Sequence, residues 1–387
     1  MHIRAMASTA PLKSTAGLED VVIGTSEVSD VNGTTGQLLY RGYDIHDLVQ
    51  HTTFEEVVFL LWYGRLPTRD ELTALGRAIA RHYALPKSLL DSMRTFPRSA
   101  EPMDVLRSAI SQLAFDDHQR DQKVDDRDVN LRRAERLTAA VPAIVGAWAR
   151  MREGEEPVTA DPTLSLAANA YYMMTGKRPD DAASRAMDIA LVLHADHEIN
   201  ASTFAARVAA ATLADLYACV VSAIATLSGP LHGGANAAVM AMLREIRQSG
   251  GDARSFVRNA LTARRKIMGF GHRVYRTEDP RATHLRRLSK ELGERYGAPE
   301  WFGLAREVEE VVKAEKGLYA NVDFYSGSAY HVMGIPTDLF TPLFAISRIS
   351  GWTAHVLEQY ANNRLIRPRA DYVGPRGLTV VPIDRRT

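Results

Sequence analysis

The chain has 387 residues, 46% of them hydrophobic and 24% charged, with a formal net charge of +1. This length fits a globular protein of about two domains, and the near-neutral charge argues against nucleic acid as the main partner. A single cysteine, Cys219, excludes a disulfide within the chain and predicts a reducing, cytoplasmic environment.

The N-terminal residues lack the continuous apolar region of a secretory signal, so we expect residues 1–17 to form a disordered tail. The longest mostly apolar stretch, residues 216–227, is too short to span a bilayer. We therefore expect a buried helix there and no membrane partner.

Strand-like sequence is scarce and lies near the two ends of the chain. Residues 21–31 and 34–40 are rich in β-forming residues, and the dipeptide Asn32-Gly33 between them favours a hairpin turn. Residues 378–383 fit a terminal strand. We predict a minor N-terminal β-hairpin in an otherwise helical chain.

Helical patterns fill the rest of the sequence and predict about fifteen helices with short connections. Residues 68–71 form a capping box. A capping residue precedes a proline at three predicted helix starts, Asp161-Pro162, Asp279-Pro280 and Thr341-Pro342. Glycines predict helix ends at Gly176, Gly250 and Gly334. The predicted fold class is all-α.

His232 lies in the stretch GPLHGGAN, residues 229–236, in a glycine-flanked turn before a predicted helix over residues 235–248. Such a histidine is either an ordinary turn residue or a functional group at a helix N-terminus.

Upstream, the motif HADHE contains His194, His197 and Glu198. Their spacing could hold a metal, but a structural zinc site needs four ligands and the HExxH pattern is absent, so we expect no metal site.

Residues 264–287 form a strongly basic segment in a neutral chain, which indicates an anionic small-molecule ligand. Gly269 and Gly271 would let backbone N–H groups approach that ligand. Arg281 falls in the first turn of a predicted helix, where the helix dipole disfavours a cation. Either a bound carboxylate or an ion pair with Glu278 or Asp279 would offset that cost.

Two polar residues stand out in the C-terminal part of the chain. Asp323 in NVDFYSGSAYHVMG precedes a predicted short helix, so a plain N-cap is the alternative to a chemical role. Arg348 lies in the middle of an apolar helix and requires an anionic partner there.

Together GPLHGGAN, GFGHRVYRTEDPR, NVDFYSG and FTPLFAISRISGW, followed by RPRADYVG, resemble citrate synthase, in the short form found in many bacteria and archaea. The resemblance runs from about residue 17 to the C-terminus. It implies a homodimer whose subunits have a large domain (18–233 and 331–387) and an inserted small domain (234–330). We expect this chain to lack the additional N-terminal domain with which some larger relatives bind NADH, and therefore expect no such regulation.

By this resemblance the chain joins acetyl-CoA to oxaloacetate and hydrolyses the citryl thioester, with coenzyme A thioester as substrate and no cofactor. His232 matches the donor to the thioester carbonyl, His272 the donor to the ketone of oxaloacetate, and Asp323 the base. The expected ligands of the oxaloacetate carboxylates are His197, Arg281, Arg348 and, from across the dimer interface, Arg367. The residues that resemble the coenzyme A site are Lys266, Ile267, Gly269, Gly271 and Arg276.

Three alternatives remain at this stage. 2-Methylcitrate synthase, which uses propionyl-CoA, shares every one of these residues, and dual specificity is compatible with the sequence. A non-catalytic helical sensor of coenzyme A or organic acids would be expected to lack His232, His272 or Asp323. A metal-dependent hydrolase built on His194, His197 and Glu198 would be inactivated by chelators.

Overall fold

A computed structural model describes residues 16–18, 21–250 and 252–386. Sixteen α-helices and one small sheet make up most of these residues. The strands are β1 (Ser29–Asn32), β2 (Gln37–Tyr40) and β3 (Tyr43–Asp44). The helices are α1 (Ile45–His51), α2 (Phe54–Tyr63), α3 (Arg69–Ala80), α4 (Lys87–Arg94), α5 (Pro102–Leu113), α6 (Arg127–Met151), α7 (Leu166–Thr175), α8 (Asp181–His194), α9 (Ala201–Ala211), α10 (Leu216–Leu227), α11 (Ala235–Gln248), α12 (Ala253–Thr262), α13 (Pro280–Arg295), α14 (Glu300–Lys316), α15 (Val322–Val332) and α16 (Phe340–Ala361). The prediction of an all-α chain is confirmed.

The N-terminal hairpin is shorter than predicted. β1 pairs antiparallel with β2 from Ser29 opposite Tyr40 to Asn32 opposite Gln37, so four residues form the turn, and β2 continues to β3. Residues 21–28 contain β-forming side chains but have no strand partner. The predicted terminal strand at 378–383 is wrong for the same reason, because that segment is exposed and unpaired.

Helix α16 is the centre of the larger group of helices. It is apolar on nearly all sides and buried along its length, and it packs against α2, α6, α8, α9 and α10. A helix that is apolar all round is stable only when neighbours surround it. The predicted buried helix at 216–227 is α10, and it packs between α5, α9 and α16.

Helices α11 to α15 form a second packed group, in which α15 lies against α11, α13 and α14. The predicted helix at 235–248 matches α11 to the residue. The sequence between α12 and α13, residues 263–279, contains no helix and includes the first part of the basic segment, whose remainder lies in α13.

Local start signals predicted some helices and misplaced others. Thr68 makes the predicted capping box, and Asp279 caps α13 ahead of Pro280. Two predicted starts are wrong. Asp161 forms a turn with Thr163 and α7 begins later behind Ser165, whereas a 3₁₀ turn runs directly into α16 before Thr341.

Within the described ranges, no helix has the length and apolar character needed to cross a membrane. Residues 1–15 of the predicted tail lie outside the described residues.

Candidate active site

His232 lies in the turn between α10 and α11. The next N–H, that of Gly233, donates to Leu227 O at 3.0 Å, and a Cβ on Gly233 would lie 2.4 Å from that oxygen. Glycine is therefore required for the turn to close. Nε2 of His232 accepts the backbone N–H of Ser202 at 3.3 Å and lies 2.9 Å from its hydroxyl. Because a backbone N–H can only donate, the imidazole proton is on Nδ1.

Burial, reinforced by Arg348, lowers the pKa of His232 to about 4. The imidazole is therefore neutral at physiological pH, and its Nδ1–H is a hydrogen-bond donor that carries no net charge.

His272 is fixed in the opposite tautomer. Its Nδ1 accepts the backbone N–H groups of Val274 and Tyr275 at 3.0 and 3.1 Å, so Nε2 carries the proton. Burial and then the charge of Arg281 lower the pKa of His272 to about 4. His272 is thus a second neutral donor.

His197 packs beside His272, with ring centroids 5.2 Å apart, and its Nε2 lies 3.2 Å from the hydroxyl of Tyr275. Burial, followed by Arg281, holds its pKa well below the usual value. His194 donates from Nδ1 to Ala190 O at 2.8 Å, and its buried Nε2 has no described hydrogen-bond partner. No three His, Cys, Asp or Glu side chains in the described part of the chain converge as metal ligands would.

Arg281 makes the ion pair that the sequence left open as an alternative. The Asp279 carboxylate accepts hydrogen bonds from Nε of Arg281 at 2.9 Å and from its Nη2 at 2.8 Å. The same carboxylate caps α13 by accepting the backbone N–H of Arg281. Burial alone would lower the pKa of Arg281, but the Asp279 carboxylate raises it, so the guanidinium stays charged. The carboxylate at the helix N-terminus offsets the unfavourable position of the cation.

Arg348 is 1% exposed in the middle of α16. Its Nε donates to His194 O at 2.7 Å, and its guanidinium lies 4.7 Å from the centre of the Phe344 ring. No carboxylate among the described residues forms an ion pair with it. Burial lowers the pKa of Arg348 to about 10, which still leaves it charged at neutral pH. The nearby Asp196 carboxylate partly opposes this fall without forming a direct ion pair, so the guanidinium is suited to bind an anionic ligand.

Asp323 lies in the first turn of α15, and the alternative that it caps this helix is excluded. Asn321 is the N-cap, which leaves the Asp323 carboxylate free of that role. Its Oδ1 is buried with no described hydrogen-bond partner. Burial raises the pKa of Asp323 to about 7, while the nearby charges of Arg281 and Arg348 oppose the rise. A carboxylate with this pKa is suited to act as a base near neutral pH.

The residues expected at the coenzyme A site lie on the segment between α12 and α13. Lys266 and Arg276 are exposed and Ile267 is buried, and Gly269 and Gly271 have left-handed φ angles of 82° and 76°. A Cβ at Gly269 would lie 2.8 Å from Phe324. The exposed cations are therefore displayed from a backbone that passes close to α15.

Arg367 makes no described contact with the other predicted site residues. It is exposed on the extended segment 362–386 that follows α16.

Three supporting residues were not identified from the sequence: Ser202, Tyr275 and Asn321. Asn200 is the N-cap of α9, and this capping signal could have placed Ser202 at a helix start. Nothing in the sequence indicates that Ser202 would reach His232, since that contact depends on tertiary packing.

Comparison with known proteins gives consistent results. A family profile described as "Citrate synthase, C-terminal domain" matches residues 17–369. Citrate synthase of Haloferax volcanii is 49% identical over 372 residues, which are 96% of this chain and 98% of the relative. Citrate synthase 2 of Bacillus subtilis is 48% identical over 97% of this chain and 100% of the relative. A 2-methylcitrate synthase of Shewanella oneidensis is 41% identical over 96% of this chain and 98% of the relative.

Solved structures share the fold over the whole length. Citrate synthase from Pyrobaculum aerophilum superposes with a TM-score of 0.89 at 41% identity and covers 100% of both chains. A ternary complex of carboxymethyl coenzyme A and oxaloacetate with citrate synthase from Thermoplasma acidophilum superposes with a TM-score of 0.90 at 34% identity, over 96% and 99%. These matches confirm the resemblance indicated by the sequence motifs: the chain belongs to the citrate synthase family.

Proposed function

We propose that His232, His272 and Asp323 carry the reaction of this citrate synthase-family enzyme, which condenses acetyl-CoA with oxaloacetate and hydrolyses the citryl thioester to citrate and coenzyme A. One observation supports this most strongly. Two neutral imidazoles, each with its tautomer fixed by backbone N–H groups, and a carboxylate whose buried Oδ1 has no partner all have Arg281 or Arg348 as a charged neighbour.

The chemistry needs both a base and donors. A thioester methyl group is a very weak acid, so the carboxylate of Asp323 can remove its proton only while the developing enolate oxygen is stabilised. His232 donates to that oxygen from Nδ1. A positioned base contributes about 10²–10⁴ in rate, and an oxyanion donor about 10²–10³.

The enolate carbon then attacks the ketone carbon of oxaloacetate. The carbon–carbon bond forms as the ketone π electrons move to oxygen, where His272 donates from Nε2. Since both imidazoles are neutral with pKa values of about 4, neither gains a proton at neutral pH. The alkoxide takes up one proton, which balances the one removed from the methyl group, and gives the citryl thioester. Water then adds to the thioester carbonyl carbon, the carbon–sulfur bond breaks, and coenzyme A leaves as the thiol with citrate as the other product.

Arg281, Arg348 and His197 are proposed to hold the two carboxylates of oxaloacetate. Arg348 has no direct counterion and therefore gains the most from the bound dianion. Arg281 is already paired with the Asp279 carboxylate, so its role is to donate a further hydrogen bond to the oxaloacetate carboxylate at the N-terminus of α13. The adjacent cations also polarise the ketone for attack.

Lys266 and Arg276, with Ile267, Gly269 and Gly271, are proposed to bind coenzyme A from the small domain, residues 234–330. The large domain would comprise residues 18–233 and 331–387. Closure of the two domains around the substrates would bring the thioester to His232 and exclude water from the enolate. No cofactor or metal is part of this mechanism.

We propose that the active form is a cytoplasmic homodimer in which Arg367 contacts the substrate of the neighbouring subunit. The segment 362–386 supports this, because its apolar side chains are exposed along an extended chain, for example Val373 at 93% and Val380 at 83%. A second subunit would cover such a surface.

A second candidate is the use of propionyl-CoA, favoured by the 41% identity to a 2-methylcitrate synthase. One additional methylene changes selectivity by only about 10–200-fold, so dual activity is compatible with this site.

Thiol release from acetyl-CoA, with and without oxaloacetate, tests the proposal. We expect release that requires oxaloacetate, is insensitive to EDTA, and has a higher kcat/KM for acetyl-CoA than for propionyl-CoA. Release without oxaloacetate, or no release, would contradict the function. A higher kcat/KM for propionyl-CoA would instead support the second candidate.

A further inference from the structure

Two short segments that carry site residues run side by side. Residues 269–271, just before His272, lie antiparallel to residues 319–321, just before Asp323. Two backbone hydrogen bonds of 3.0 and 2.9 Å and one isolated bridge join them. So short a pairing has little stability of its own. A side chain that forms a hydrogen bond from one segment to the other therefore contributes strongly to keeping the two segments aligned.

Asn321 is such a side chain. Its Oδ1 accepts the backbone N–H of Asp323 at 3.1 Å, which caps α15. Its Nδ2 donates to Gly271 O at 3.0 Å, on the opposite segment. The two contacts together fix the orientation of the amide, because one requires an acceptor and the other a donor.

The second contact goes beyond what a helix cap needs. Serine and aspartate cap helices about as well as asparagine does, and threonine caps them slightly less well. Aspartate cannot donate, and serine has one hydroxyl on a shorter side chain. Of the four capping residues, only asparagine has the amide donor that reaches Gly271 O while its other atom caps α15.

Two other contacts join these segments, the backbone bridge and the rings of Phe270 and Phe324, whose centroids lie 4.5 Å apart, but neither holds the side chain of Asp323 or His272 itself. The ring of His272 is held through Nδ1 by its own loop, and Oδ1 of Asp323 has no hydrogen-bond partner. Asp279 adds a neighbouring tie, since its Oδ2 accepts the N–H of Val322 at 3.2 Å. That contact links α15 to Arg281 but does not reach the His272 segment.

We propose that Asn321 is a positioning residue that sets the spacing between Asp323 and His272 by tying the start of α15 to the carbonyl of Gly271. It touches neither substrate nor reacting atom and acts through the two segments. The inference rests on the proposed function, because the spacing matters only if these two side chains act on the same pair of substrates.

Two variants that keep the cap separate positioning from folding. In Asn321→Asp and Asn321→Ser an acceptor remains for the Asp323 N–H, but the donor to Gly271 O is lost. Misplacing a reacting group by about 1 Å can cost about 100-fold in rate. We expect kcat to fall about 10–100-fold in both variants at the pH of their maximal activity, with KM for oxaloacetate changed by less than about threefold.

Ser165→Ala is the matched control, since Ser165 caps α7 away from the site by accepting the Ala168 N–H at 3.2 Å. Its kcat should equal that of the wild type, and the urea midpoints of the Asn321 variants should be no lower than its midpoint. Three results would overturn the inference: kcat within about twofold of wild type in both variants, a rise in KM as large as the fall in kcat, or midpoints below the control. A wild-type chain that releases no thiol would contradict the proposed function and this inference with it.

Discussion

Burial shifts the two kinds of titratable group in the site in opposite directions, because it disfavours the charged form of each. It raises the pKa of Asp323 to about 7 and lowers the pKa values of His232 and His272 to about 4. The carboxyl becomes a base matched to neutral pH, and the imidazoles become donors without charge. Residue types that ordinarily titrate at pH 4 and 6.5 thus exchange their order.

The first prediction is the pH dependence of kcat/KM for oxaloacetate, which follows the free site. Asp323 must be deprotonated to act, so activity should fall tenfold per pH unit below about pH 7 and level off above it. His232 and His272 should cause no further change in kcat/KM between pH 5 and 9, since both are already neutral there. Initial rates across that range check this, and a plateau that extends down to pH 5 would contradict it.

The residues of the site were predictable from the sequence, whereas the hydrogen bonds that orient them were not. Sequence motifs identified His232, His272 and Asp323, whereas the low pKa of His232 depends on its burial in the folded chain. That Ser202 would fix its tautomer, or that Asn321 and not Asp323 would cap α15, depends on contacts between segments far apart in sequence.

At the scale of elements, the start of α13 combines a helix cap with an ion pair. Asp279 is 1% exposed and Arg281 is 2% exposed, so each charge depends on the other. The carboxylate also accepts the first N–H of α15. One side chain therefore joins two helices and neutralises a buried cation.

The second prediction is that Asp279→Asn lowers the free energy of unfolding by about 3–5 kcal/mol, because breaking a buried pair leaves an uncompensated charge. Urea unfolding without substrate measures it. Asp252→Asn is the control, since Asp252 caps the exposed start of α12 and has no buried partner; asparagine caps equally well there. Equal effects of the two substitutions would contradict the account of Arg281.

Element boundaries were predictable where a local signal decides them. Thr68 and Gly176 set helix ends through their own hydrogen bond or φ angle. Asp161 carries the same signal as Asp279 but uses it in a turn with Thr163, and Ser165 competes successfully for the helix start. The choice between such neighbouring caps depends on where the helix packs, which local sequence does not contain.

At the scale of the whole molecule, the segment 362–386 leaves α16 and keeps its apolar residues in solvent. Leu365, Tyr372 and Ile383 are each more than half exposed. Arg367 lies on the same segment. In the proposed homodimer this segment would both bury its apolar side chains and complete the neighbouring site.

The third prediction concerns truncation after residue 361. We expect the truncated chain to shift from dimer to monomer and to lose most of its activity, because a large apolar contact and Arg367 are removed together. Light scattering after gel filtration measures the mass. Arg367→Ala is the matched control and should remain dimeric with a raised KM for oxaloacetate. A truncated chain that stays dimeric would contradict the role of the segment.

The role of Asp323 as the base is tested most directly by Asp323→Asn, which keeps the shape of the side chain and removes its ability to take a proton. Its kcat for thiol release should fall about 10²–10⁴-fold. Calorimetry should find the affinity for oxaloacetate within about threefold of wild type, because Arg281 and Arg348 are unchanged. Turnover within a few-fold of the wild type would show that the proton leaves by another route, and the assignment of the site would be wrong.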